Sequence, residues 1–224
     1  AGARQTGPTP GAPPPFAEVT RGATSTAGFL NVWTREEKTW LEIPAERLEQ
    51  PFFLGFSFAS GLGQRYLLPG LMGFGVEQVV MLRRVGNNVQ LLARNLDSRA
   101  TEGTPLARAL AESYSDSLLA STPLAAAPHP DRKSLLVDAQ ALLGGDIPGV
   151  LSMFDAVFRV PYALDRSNSS IERTRTAANG TSLTLRNHYA VPKLPSPLAA
   201  PGIPPNPATV PSPPRALPDA RSFF

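Results

Sequence analysis

The chain has 224 residues, 42% of them hydrophobic, with 25 prolines, no cysteine and a formal charge of +3. That length fits one ordinary domain with tails, and the apolar content suffices for a packed core. The lack of cysteine excludes a disulfide framework, a thiol nucleophile and Cys-ligated zinc, no Lys/Arg run is interleaved with aromatics as nucleic-acid binding asks, and no apolar run reaches the ~18 residues of a membrane span.

The prolines cluster at the two ends. Residues 1–15, AGARQTGPTPGAPPP, read as a Pro/Gly linker that buries no apolar surface. Its opening Ala1-Gly2-Ala3 is compatible with the remnant of a small-residue cleavage site, or with a boundary of another kind. Order is expected from Phe16. FLNVWT (29–34) alternates as a strand does, REEK (35–38) reads as a turn, and TWLEI (39–43) returns as its partner until Pro44 stops it. Residues 45–48 suit one helical turn. FFLGFSFAS (52–60) is a continuous apolar, aromatic-rich run and is expected to be a buried strand. The glycine-punctuated stretch 61–75 must be a loop.

VEQVVMLRRV (76–85), the turn Gly86-Asn87-Asn88 and VQLLARN (89–95) make the clearest hairpin. A helix is expected from Pro105, capped by Thr104 and closed at Pro123. Its apolar stripe would be Leu106, Leu110, Tyr114 and Leu118. SLLVDA (134–139) reads as a strand. A second helix starts at Pro148, with Val150, Leu151, Phe154, Val157 and Phe158 on one face, and ends at Pro161. TSLTLRNHYAV (181–191) alternates as a last strand, after a turn at Asn179-Gly180. The expected partition is a linker over 1–15, a single α+β domain of antiparallel hairpins and about two helices over 16–191, and a Pro-rich extended tether over 192–224.

Little catalytic chemistry is visible. A zinc peptidase needs H-E-x-x-H, but the two histidines are His129 in a proline loop and His188 on a predicted strand, and a loop His and a surface His are the expectation. Ser57 and Ser60 lie near glycines without a G-x-S-x-G elbow. Asp138, Asp146 and Asp155 are candidate carboxylates, yet Asp138 and Asp146 sit where capping explains them. The glycines of 61–63 and 70–75 lack the phosphate-loop pattern. No catalytic, cofactor or metal residue is assigned. YALDRSNSSIERTR (162–175) gathers Asp165, Arg166, Glu172, Arg173 and Arg175 among small hydroxyl residues. It is read as a partner-docking stretch or a salt-bridged seam, against the alternative of an exposed polar loop.

FAEVTRGATSTAGFLNVW (16–33) followed by WLEIPAERLEQPFFLGFSFASGLG (40–63) resembles the opening of a family of large bacterial zinc-dependent metalloproteases. There, a region of uncharacterised function precedes a metzincin-like catalytic domain. ESYSDSLLAS, SLLVDAQALLGGDIPG, YALDRSNSSIERTR and LTLRNHYAVPKLP resemble later landmarks of the same region, so the resemblance spans roughly residues 16–195. It implies a secreted or periplasmic module whose partner is the catalytic zinc-peptidase domain of the same precursor, with zinc held only downstream. The zinc ligands and general-base Glu of that domain have no counterpart in this sequence, so no catalytic residue is carried over. The leading expectation is a non-catalytic accessory module that scaffolds, gates or helps fold the peptidase. A stand-alone extracellular binding module on proline tethers is the alternative, and a hydrolase in its own right is third.

Overall fold

The computed structural model describes residues 13–60, 77–158, 161–191 and 222–223. The expected loop over 61–75 and almost all of the two Pro-rich ends lie outside these. The fold is α+β and β-rich, built on antiparallel sheets.

The first sheet has strand order β1-β2-β3-β8, with β1 at Thr24–Thr26, β2 at Asn31–Arg35, β3 at Lys38–Ile43 and β8 at Leu135–Asp138. Side chains alternate across it, as the pleat requires. Val32, Leu41, Ile43, Leu135 and Val137 occupy one face and are all buried. The other face carries the cross-strand pairs Trp33–Trp40, Asn31–Glu42 and Trp40–Asp138. A short helix, α1 (Phe16–Val19), covers that second face, where Phe16, Trp40, Ala126 and Leu136 form a cluster. The Phe16 ring meets Trp33 and His129 edge-on, with centroids 5.9 and 5.0 Å apart.

The second sheet has the order β4-β5-β6-β7, with β4 at Phe52–Leu54, β5 at Gln78–Val85, β6 at Asn88–Ala93 and β7 at Ser117–Pro123. The β5–β6 hairpin turns at Gly86, whose φ of 59° suits a residue without a Cβ. Beyond β7 the chain reaches the first sheet. Leu124 bridges Val137, and the Ala125 N–H donates to the Leu136 carbonyl at 2.8 Å.

Two expectations are corrected and one alternative is decided. The run 52–60 is not a buried strand: β4 holds only three residues, and Phe53 is 66% exposed. Gly55 and the break in pairing after Leu54 end it. The helix from Pro105, α2 (Pro105–Ser113), stops well before Pro123, and Leu118 lies on β7 instead. Fourfold spacing of leucines cannot distinguish a helix from a helix followed by a strand, and pairing with β6 decides. The polar stretch after Tyr162, for which an exposed loop was the alternative reading, is β9 (Ala163–Ala177), a fifteen-residue strand paired with β10 (Gly180–Ala190).

The chain divides into two compact units. The first comprises Ala1–Phe52, Val79–Leu143 and Thr174–Ser182, and so includes the tip of the β9–β10 hairpin. That tip is held by backbone groups of residues 29 and 30. The Phe29 N–H donates to the Ala177 carbonyl at 2.7 Å, and the Leu30 N–H to Thr181 Oγ1 at 3.0 Å. Thr176 Oγ1 donates to the Leu30 carbonyl at 2.9 Å and lies 2.8 Å from Thr181 Oγ1. A Cβ on Gly28 would meet Thr176 Oγ1 at 2.0 Å, so only glycine permits this approach. Asp138 caps the next helix, α3 (Ala139–Leu143), by accepting from the Ala141 N–H at 2.9 Å.

The second unit comprises Phe53–Gln78, Gly144–Arg173 and Leu183–Phe224. Its core joins α4 (Val150–Phe158) to the hairpin stem: Phe154 meets Tyr162 and Tyr189 edge-on, and Val150 and Val191 complete the cluster. Asp146 opens α4, its two oxygens accepting from the N–H groups of Val150 and Leu151 at 2.8 and 2.9 Å. Both acids expected to cap therefore do so. Residues Ser222–Phe223 form β11 and pair with the end of β10.

Two predictions follow from the packing. Gly28→Ala should cost about 1–3 kcal/mol, because the Thr176 side chain has to move out of the clasp; urea unfolding measures the loss. Burial pushes the phenols of Tyr162 and Tyr189 up to about 12. Their contribution to stability is fully present below pH of about 10, the ordinary tyrosine value, and is lost as pH rises beyond it. Tyrosinate absorbance followed alongside circular dichroism should show a late ionisation step that coincides with unfolding. Ionisation of all tyrosines near the ordinary value with the fold intact would contradict the packing of this core.

Candidate partner-docking surface

The five residues expected to dock a partner do not form one cluster. Asp165 turns inward along its own strand. Its carboxylate accepts from Ser167 Oγ at 2.5 Å, from Asn168 Nδ2 at 2.6 Å and from the Ser167 N–H at 3.1 Å, and lies 3.0 Å from His188 Nδ1. The hydrogen bonds from Ser167 and Asn168, with His188 alongside, hold that carboxyl well below the usual carboxylate range. Glu172 pairs with Arg186 at 3.3 Å, an exposed bridge that contributes little stability. Arg166, Arg173 and Arg175 are exposed, and the pleat sets Arg173 and Arg175 on the opposite side of the strand from Glu172.

His188 is not the surface residue expected. Its side chain is 13% exposed and packed beside Asp165, while its backbone N–H donates to Ser169 Oγ. His129 lies in its loop as expected, but it has a structural duty there. Nδ1 accepts from the N–H groups of Asp131 and Arg132, and the ring rests on Phe16. Among the described residues, no three His, Asp or Glu side chains gather as a metal site would need.

The most deeply buried acid was not singled out from the sequence. Glu42, on β3, is 1% exposed. One oxygen accepts from Ser134 Oγ at 2.5 Å and from the Arg132 guanidinium at 2.8 Å. The other accepts from Trp33 Nε1 at 2.8 Å and, more weakly, from Asn31 Nδ2 at 3.4 Å. Burial alone would raise its pKa, but the hydrogen bonds from Ser134, Trp33 and Arg132 outweigh it and the carboxyl ends lower than usual. All four donors are in place around the anion, so the arrangement secures a strand rather than exchanging a proton. The signal for it was an acid between Leu41 and Ile43 on a strand with two buried faces.

An open groove of ≈ 480 Å³ lies in the first unit beside Trp40, with Arg35, Lys38, Glu18 and Asp138 among its lining. Arg35 stacks over Trp40 at 5.3 Å from the ring centroid, and Asp138 is committed to its helix cap. Two charges of each sign select no ligand class.

The surface with clear chemistry is the excursion between β6 and β7. Thr104 caps α2 by accepting from the Ala107 N–H at 3.2 Å. Asp116 closes the base of the excursion by accepting from Arg94 Nε and the Asn95 N–H at 3.2 and 3.1 Å. The helix is thus formed by its ends rather than by packing. None of its residues is buried: Leu106 is 60% exposed, and Tyr114 and Leu118 beyond it are 49% and 56% exposed. Burying one such side chain is worth about 1.5–3 kcal/mol, so this surface leaves a sizeable association energy unused.

Glu42→Gln should lower stability by about 1–3 kcal/mol, because the amide cannot accept from all four donors. A carboxyl with a lowered folded pKa adds stability that is present above its unfolded pKa and lost as pH falls through the folded value. The acid limb of the unfolding profile should therefore be shallower in Glu42→Gln, and an unchanged limb would show that Glu42 is not the group involved.

Searches among curated proteins and among solved structures find no match to this chain. Residues 74–209 match a family described as a domain of unknown function, DUF5117. The matched span runs from β5 through the exposed helix α2, the core helix α4 and the whole β9–β10 hairpin, more than half of the sequence, and the chain belongs to this family of domains of unknown function.

Proposed function

We propose that this chain is a non-catalytic accessory module of a secreted zinc-dependent metallopeptidase, and that it docks onto the catalytic domain through the apolar side of α2. The observation that carries the docking role is the capped helix with no buried residue, whose Leu106 is 60% exposed. A helix held by its ends and not by a core suits the helix-in-groove mode, in which the partner supplies the burial. The identity of the partner rests on the series of landmarks that resemble the region preceding a zinc-peptidase domain. The acids and histidines of the described residues that geometry singles out are engaged in structural hydrogen bonds, which agrees with a module whose work is binding. The two Pro-rich ends also suit the second reading, a stand-alone extracellular binding module on tethers.

Titrating the chain with the zinc-peptidase domain of its precursor separates the two. Micromolar or tighter binding that falls tenfold or more, about 1.4 kcal/mol or above, in the variant Leu106→Asp is expected. Undiminished binding by that variant would remove α2 from the interface. Absence of binding at high micromolar concentration would leave the stand-alone module as the better reading.

A further inference from the structure

We propose that Asn179 is a self-modification site, converted through a cyclic imide to isoaspartate, and that the conversion loosens the clasp on the hairpin tip. Asn179 stands exposed in the two-residue turn between β9 and β10, followed by Gly180. Neither backbone nor packing demands a glycine there. Gly180 is not in the left-handed region, and a Cβ on it would meet nothing within 4 Å. What the glycine does supply is an amide nitrogen with no side chain of its own beside it, next to an asparagine side chain.

The chemistry needs only water. The Gly180 nitrogen attacks Cγ of Asn179, forming an N–Cγ bond and losing its proton to solvent. The bond from Cγ to the side-chain nitrogen breaks, and ammonia leaves. Water then opens the five-membered imide. Opening at one carbonyl restores an α-linked aspartate, and opening at the other leaves the chain running through the side chain, one methylene longer.

That extra methylene falls between the two strands of the clasp. Ala177, which accepts from the Phe29 N–H, and Thr181, which accepts from the Leu30 N–H, each lie two residues or fewer from the Asn179–Gly180 bond. Lengthening the turn shifts one against the other, whereas an α-linked aspartate adds charge but no length. The turn between β5 and β6 is a built-in comparison: Asn87 and Asn88 are also exposed, but are followed by Asn88 and the β-branched Val89, whose side chains hinder the attack.

The test incubates the full chain in mildly alkaline buffer and follows each asparagine by peptide mass spectrometry. Asn179 should convert several-fold faster than Asn87 or Asn88, and Gly180→Ala should bring it down to their rate with the fold intact. Hydrogen exchange of the Phe29 and Leu30 amides should be several-fold faster in the separated isoaspartyl form, but unchanged in Asn179→Asp. Equal rates at all three asparagines in the unaltered chain would overturn the site. An isoaspartyl form with unchanged protection at Phe29 and Leu30 would overturn the loosening.

Discussion

Glu42 holds a full charge on a strand between Leu41 and Ile43, both completely buried, and the first unit is arranged around keeping that charge solvated by protein. Its donors come from two places: Trp33 and Asn31 on the neighbouring strand, and Arg132 and Ser134 from the loop before β8. An unpaired carboxylate at this depth would cost several kcal/mol, so the donors from the loop have to stay beside the strand. The loop pulled in this way brings further contacts with it. His129 reaches Phe16, and the Ala127 N–H donates to the Pro14 carbonyl, which fixes α1 over the Trp40 face.

The β9–β10 hairpin shows a different solution to a polar sequence. Strands favour β-branched and aromatic side chains, and β9 is instead dominated by polar ones, with three Ser and three Arg beside Asp165, Asn168 and Glu172. Its stability comes from pairing with β10 and from side chains that replace missing packing with hydrogen bonds, above all the group around Asp165. At one end the hairpin contributes Tyr162 and Tyr189 to the aromatic core around Phe154, and at the other its tip is gripped by Leu30. Gly28 is what lets the tip approach so closely.

The excursion carrying α2 is the reverse case. Its local signals, Thr104 and Pro105, are strong enough to form a helix without a core beneath it. An apolar side chain that the fold does not use is available to a partner, and this is the physical basis for reading the domain as one that binds.

Alternation and turn residues determined much of this protein from the sequence alone: the β2–β3 and β5–β6 hairpins, the core helix after Pro148 and the caps at Asp138 and Asp146 each depend on neighbours in the chain. Tertiary structure decided the rest, because the deciding contacts lie far away in sequence. Leu118 became a strand residue by pairing with Leu92. Glu42 could be recognised as an anchor only once Arg132 and Ser134, some ninety residues on, were seen beside it. Of the expected apolar stripe only Leu106 and Leu110 lie on α2, since Tyr114 ends the helix and Leu118 belongs to β7. The lack of a covering partner for α2 was not legible, since periodicity states which side chains share a face and only the folded chain states what that face meets.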